Sequence, residues 1–205
     1  MSKSFIRSSS IVAAMTFISR ILGLVRDFII ARLFGASELT DAFLVAFRIP
    51  NFFRRLFAEG AFSQAFLPIL AESKANQSDE EVQLVINHIA TKLLSILMII
   101  TLIAIVIAPL IILLFAWGFY FKADATQFNL ASEMLRITFP YLLLISLTAL
   151  SGSILNTYDN FIIPAFTPVL LNISLILSAV FLSKYLSTPI MALAWGVLFG
   201  GIIQL

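Results

Sequence analysis

The chain has 205 residues, of which 60% are hydrophobic and 12% charged, and its mean hydropathy is +1.04. Half the usual share of charge in so apolar a chain excludes a water-soluble single domain, and 13 Lys and Arg spread among 11 Asp and Glu exclude the clustered basic face of a nucleic-acid binder. No Cys and one His exclude disulfide scaffolds, thiolate sites and multi-histidine metal centres.

The charges are unevenly placed. Of the 24, ten Lys or Arg and eight Asp or Glu fall in residues 1–92, leaving six for the remaining 113. Lys3 and Arg7 precede an apolar stretch, Ile11 to Ile18, as in a secretory signal. Arg20 breaks that stretch, however, and no convincing small-residue cleavage site follows before more hydrophobic sequence, so it reads as the first membrane helix.

In chain order the expected fold is all-α and polytopic, with about six transmembrane helices near residues 10–34, 40–71, 84–121, 130–158, 160–183 and 185–205. Phe34-Gly35-Ala36-Ser37 reads as a short turn between the first two, and Ala71 to Glu81 as a solvated loop before the third. The later spans rest on four charge-free runs, Leu93–Phe121, Ile137–Tyr158, Asn160–Ser183 and Tyr185–Leu205, each about 20 residues or more and so able to cross a ~30 Å hydrocarbon core. Trp117, Tyr120, Lys122, Tyr158, Lys184 and Tyr185 mark their ends with the aromatic and basic residues of a membrane interface. Pro50, Pro68, Pro109, Pro140, Pro164 and Pro168 fall in or near spans, where each removes a backbone donor and tends to kink the helix. Loop charge slightly favours a cytoplasmic N-terminus. The last span ends at Leu205 with no polar tail, as expected of one piece of a longer chain.

The first two spans carry Arg20, Arg26, Asp27, Arg48, Arg54, Arg55 and Glu59. A single charge at the centre of a lone membrane helix costs roughly 2.5–3.5 kcal/mol on insertion scales, so these side chains need water, partners or both. Arg20 and Asp27, seven residues apart, share a helix face, with Arg26 about a third of a turn away. In the second span Asp41, Arg48, Arg55 and Glu59 fall within roughly 40° of one another on an ideal helix, and Arg55 and Glu59 have the i, i+4 pair spacing. Pro50 weakens that alignment by disfavouring helix at Ile49. Four arginines (20, 26, 54 and 55) against Asp27 and Glu59 leave surplus positive charge at membrane depth. Guanidinium forks suit phosphate and keep their charge where Lys would lose it, so an Arg-lined, water-filled cavity for a phosphate-bearing substrate is one reading. The other is that the arginines anchor helix ends and pair between helices, snorkelling to the headgroups; it suits Arg32 and Arg48 better than the deeper Arg20, Arg26 and Arg54. His88 reads as an ordinary residue beside a polar loop. Asn156 and Asn172 suit either a cavity wall or helix-to-helix hydrogen bonding, while Gly118, Gly152, Gly196 and Gly200-Gly201 read as helix packing or helix ends. No nucleophile-base pair, phosphate loop or catalytic carboxylate pair appears, so a transporter is expected rather than an enzyme.

Three segments also carry a resemblance. Ser19-Arg20-Ile21-Leu22-Gly23-Leu24-Val25-Arg26-Asp27, Thr40-Asp41-Ala42-Phe43 and the run from Pro50 to Phe66 (PNFFRRLFAEGAFSQAF) resemble the N-terminal part of the MurJ (MviN) lipid II flippases. Phe139-Pro140-Tyr141, Leu155-Asn156 and Pro164 to Asn172 match as well, so the resemblance covers essentially the whole chain. It implies the multidrug/oligosaccharidyl-lipid/polysaccharide exporter superfamily and one lobe of a two-lobe fold around a cationic cavity. It also implies substrate-binding roles for Arg20, Arg26, Asp27, Asn51 and Arg54, and gate or helix-pairing roles for Asp41, Arg55 and Glu59. The substrate implied is the undecaprenyl-pyrophosphate-linked sugar peptide lipid II, flipped by alternating access across the bacterial cytoplasmic membrane. No cofactor or metal is implied, and an ion gradient or the membrane potential is the expected coupling. The expected partners are membrane lipids and a C-terminal lobe absent from this chain. The alternatives are an ion-coupled multidrug exporter of the same superfamily, which calls for excess acid rather than excess Arg, and a non-transporting membrane scaffold, which has no need of buried charge.

Overall fold

The computed structural model describes residues 3–55, 66, 68, 70, 72–74, 76, 78–121, 125–158 and 160–205, and these are helical apart from turns and short connections. Helix α1 spans Lys3–Phe34, α2 Glu38–Arg54, α3 Asp79–Val106, α4 Ala108–Phe115, α5 Thr126–Thr138, α6 Tyr141–Thr157, α7 Ile162–Val180 and α8 Met191–Gln204, with 3-10 turns at Trp117–Phe119 and Leu182–Tyr185. Among the described residues, three stretches are long and apolar enough to cross a membrane: Asp79–Val106, Thr126–Thr157 and Ile162–Tyr185. The all-helical membrane architecture expected from the sequence is therefore present, with helix boundaries that depart from the expected spans in several places. Glu59 lies outside the described residues, and so do residues 71, 75 and 77 of the expected solvated loop at 71–81; the rest of that segment is not a loop, because Glu72, Ser73, Lys74 and Asn76 are helical, Ser73 is buried, and α3 begins at Asp79 directly after its Ser78 cap.

The departures have backbone causes. The span expected at 84–121 is divided at Ile107, because Pro109 in the first turn of α4 has no N–H to continue the ladder of α3. The one expected at 130–158 is divided at Phe139-Pro140 into α5 and α6. The last helix begins at Met191 rather than 185, after a turn in which Met191 donates to the Thr188 carbonyl at 3.0 Å. At 14 residues, α8 is about 21 Å long at 1.5 Å per residue, shorter than a hydrocarbon core.

Local chemistry also fixes the helix starts. Ser78 caps α3 in a capping box: its hydroxyl accepts from the Glu81 N–H, and the Glu81 carboxylate accepts from the Ser78 N–H at 2.9 Å. Between α1 and α2 the expected turn is present. Gly35 takes φ +67°, the left-handed conformation that ends a helix, and donates to the Ala31 carbonyl. Ser37 then caps α2 by accepting from the Thr40 N–H at 3.2 Å, while the Thr40 hydroxyl donates back to the Gly35 carbonyl at 2.9 Å.

Helix α2 is held along α5. Gln127 donates to the Glu38 carbonyl at 3.0 Å and Thr138 to the Ala46 carbonyl at 3.0 Å, so the two helices run in the same direction. Phe43, Ala46, Ile49, Met134, Leu135 and Phe139 form the apolar core between and around them. Helices α7 and α8 pack antiparallel at close range. A Cβ on Gly196 would stand 2.8 Å from Ser178 Oγ, and one on Gly200 2.7 Å from Leu171 Cδ1, so the glycines let the two helices approach this closely without displacing a neighbour. Gly152, Gly196, Gly200 and Gly201 are packed against neighbouring helices as read from the sequence, whereas Gly118 has open space around it and lies in the 3-10 turn.

Candidate functional site

The Gly35 turn sends α2 back beside the end of α1, and the space between them is a cavity of about 960 Å³. Arg26 and Asp27 of α1, Asp41, Arg48 and Asn51 of α2 and its C-cap residue Arg55 line it, with Leu171 and Leu175 of α7 on another wall. Among the described residues, three guanidinium groups and two carboxylates line it, a positive surplus.

Arg26 is held by three side-chain hydrogen bonds. Its Nε and Nη2 donate to Asp27 Oδ1 at 2.9 and 2.7 Å, and its Nη1 donates to Asn172 Oδ1 at 2.8 Å. Asn172, 6% exposed in α7, uses the other end of its amide to donate to the Ser19 carbonyl at 3.1 Å. One neutral side chain thus ties α1 to α7 and fixes the orientation of a cavity arginine. A guanidinium has five N–H donors and three are used here, which leaves two for an anion.

Pro50 does not interrupt α2, contrary to the expected loss of alignment at Ile49. Its missing N–H would orphan the Ala46 carbonyl, and the Thr138 hydroxyl supplies the donor instead. Asn51 adds a side-chain bond to the Phe47 carbonyl at 3.0 Å. With the helix intact, Asp41, Arg48 and Arg55 fall on one face as their spacing predicts, and all three reach the same cavity. Arg48, better suited from sequence to an interfacial anchor, is a cavity residue. What would have revealed it is that same stripe, Asp41-Arg48-Arg55.

Other expected site residues lie elsewhere. Arg54 lines a second cavity, of about 580 Å³, formed with α6, α7 and α8, and Asn51 lines both cavities. Arg20 is exposed and lines neither. Asn172, left open by the sequence between cavity wall and helix pairing, pairs helices and does so through a cavity arginine. Lys74 donates to the Thr157 carbonyl at 2.7 Å and stands 4.1 Å from the Tyr158 ring centroid, placing a cation at the C-terminal end of α6 where the helix dipole favours it.

The family model described as "Lipid II flippase MurJ" matches residues 30–205. This chain belongs to the lipid II flippase MurJ family. The lipid II flippase MurJ of Burkholderia cenocepacia is 48% identical over 193 residues, which cover 94% of this chain and 37% of that relative. The probable lipid II flippase MurJ of Vibrio cholerae is 47% identical over 208 residues, covering 99% of this chain and 40% of its own length. A solved structure, the lipid II flippase MurJ in an inward closed conformation, superposes with a TM-score of 0.79 at 36% identity, over 94% of this chain and 40% of that one. The chain thus spans about two fifths of the length of these MurJ relatives.

Proposed function

We propose that this segment forms the N-terminal lobe of a lipid II flippase and that its first cavity receives the pyrophosphate of the lipid-linked sugar peptide. The observation that carries the reading is the pairing at Arg26. This arginine is oriented by Asp27 and Asn172, lies in a cavity with two further arginines, and retains donors for an anion. Arginine holds phosphate oxygens through parallel N–H bonds and keeps its charge away from bulk water. The relatives' names supply the substrate, and the cavity's surplus of guanidinium over carboxylate suits a pyrophosphate better than the cationic drugs of the related exporters.

The transport step is alternating access. Lipid II enters from the cytoplasmic leaflet, its pyrophosphate is neutralised in the cavity while the polyprenyl tail stays in lipid, and this lobe rocks against a C-terminal lobe to expose the headgroup outside. Arg26, Arg48 and Arg55 form the near wall. Arg20, outside both cavities in this arrangement, and Arg54, in the second, join the path as the lobes move. Asp41 and Glu59 act in gating, and an ion gradient or the membrane potential drives the cycle. The membrane is the bacterial cytoplasmic membrane, with the N-terminus on the cytoplasmic side.

The test is Arg26→Ala in the full-length protein, read as accessibility of lipid II on the outer face in cells whose only flippase is the variant. The expected result is a variant that inserts and accumulates normally while lipid II stays inside. Unimpaired flipping would overturn the reading.

A further inference from the structure

One end of the second cavity lies where α6 gives way to α7. Asn156 in the last turn of α6 and Pro164 in the first turn of α7 line it there, with Asn51 and Arg54 of α2 also on its wall. The two helix ends sit against each other, since a Cβ on Gly152 would stand 3.5 Å from the Pro164 Cβ. The N–H groups of Tyr158 and Asn160 close the end of α6 on the Leu155 carbonyl, at 3.1 and 2.9 Å. The Thr157 carbonyl accepts instead from Lys74 Nζ at 2.7 Å, and the same Nζ stands 4.1 Å from the centroid of the Tyr158 ring. Lys74 belongs to the chain that follows α2. Ser73 beside it is buried, and Phe66 and Leu70 fill a small apolar cluster with Val82 of α3 and Leu150 of α6, separate from the main core.

We propose that Lys74 is a clasp on this rim of the second cavity, which releases the end of α6 and retakes it in each transport cycle. The proposal rests on the alternating-access reading: with the N-terminus cytoplasmic, α1 crosses outward and α2 inward, which puts the Lys74 contact on the cytoplasmic side. Its chemistry suits a contact that opens. Lys74 and Tyr158 are both exposed, so water competes for the ammonium and for the ring. The acceptor is a neutral carbonyl at a helix end, which water satisfies as readily, whereas a carboxylate would hold the cation more tightly. Its surroundings suit a contact that closes again. Phe66 and Leu70 stay anchored in their cluster and keep Lys74 within reach, and the C-terminal end of α6 attracts a cation through its dipole. Leu150 stays in that cluster too, so the part of α6 that moves is the end beyond it. Because Pro164 rests against Gly152, Asn156 and Pro164 move away from Arg54 together and widen the cavity on this side.

The experiment fastens the clasp. Residues 1–205 hold no cysteine, so in the full-length protein, with any cysteine elsewhere replaced, Lys74→Cys and Tyr158→Cys are joined by a short bis-methanethiosulfonate that a reductant removes. Joining is expected to abolish lipid II flipping by the purified protein in liposomes and the reductant to restore it, while each single-cysteine variant flips normally under the same treatment. Undiminished flipping by the joined protein would make the contact a fixed brace and overturn the clasp, as would failure of the two cysteines to be joined. A second measurement needs no transport. With Ser153→Cys as a thiol at a half-buried position on the cavity wall, Lys74→Met should speed labelling by a water-soluble maleimide about fivefold, the equivalent of one lost hydrogen bond. An equal rate with and without the lysine would overturn the clasp. Should the double-cysteine variant be inactive before joining, labelling decides alone. A wild-type protein that flips no lipid II would defeat the alternating-access reading instead, and labelling would still decide the clasp.

Discussion

The hydroxyl of Thr138 donates to the carbonyl of Ala46 at 3.0 Å, the acceptor that Pro50 leaves without its helical donor. A side chain on one helix thereby repairs the backbone of another, and Arg48, Asn51 and Arg55 keep the register that brings them to one cavity.

Replacing Thr138 with Val keeps the volume and removes that donor, leaving a buried carbonyl unpaired. A loss of about 1–3 kcal/mol is expected, read as a lower melting temperature of the full-length protein in detergent. Ser146 is the control. Its buried hydroxyl has no partner among the described residues, so Ser146→Ala should leave the melting temperature unchanged or raise it.

Asn172 predicts a charge effect on binding beyond its structural one. Asn172→Asp keeps an acceptor for Arg26 but loses the N–H that holds the Ser19 carbonyl and adds a negative charge beside the guanidinium, so melting temperature should fall and pyrophosphate-lipid binding should fall about tenfold or more, the equivalent of one charge-assisted hydrogen bond. Asn172→Ala loses the same tie and the acceptor for Arg26 but adds no charge, so it should lower the melting temperature and weaken binding less than aspartate does. Equal loss of binding in the two variants would show that Asn172 acts only as a helix clip.

Gly196 and Gly200 differ in how readily their neighbours yield. A Cβ at 196 meets both Oγ and Cβ of Ser178 below 3.0 Å, whereas at 200 the one atom below that distance is the mobile end of Leu171. Gly196→Ala should therefore destabilise by about 1–3 kcal/mol and Gly200→Ala by less. Gly118→Ala, with open space around it, should be neutral. Melting temperatures of the three variants order the effects.

Arg48 and Arg32 provide a matched pair. Both are exposed arginines in the charged N-terminal helices, but only Arg48 lines the first cavity. Arg48→Ala should reduce lipid II flipping while Arg32→Ala leaves it near wild type, measured by outer-face accessibility at equal expression.

Composition and hydropathy were enough to expect an all-helical membrane protein, because a charge-free run of about 20 residues has few other uses. The Gly35 turn was equally legible, since glycine and a capping serine act locally. Helix boundaries at Ile107, Phe139 and Met191 were less so: hydropathy averages across a proline, whereas the break depends on one missing N–H. At the site, periodicity placed Asp41, Arg48 and Arg55 together. It could not foresee that Thr138, 92 residues beyond Ala46, would keep their helix whole, or that Asn172 would orient Arg26 from another helix. Those are long-range contacts, and no local pattern encodes them.

Arg26 and Asp27 are adjacent in the chain, so their ion pair belongs to α1 alone. Among the described residues no ion pair joins α1 to α7, and the polar ties between them are the two hydrogen bonds at Asn172, each worth about 0.5–3 kcal/mol, set beside their apolar packing. In the proposed alternating access, a displacement of α1 against α7 would carry the Arg26 counterion along and release neutral partners rather than an ion pair.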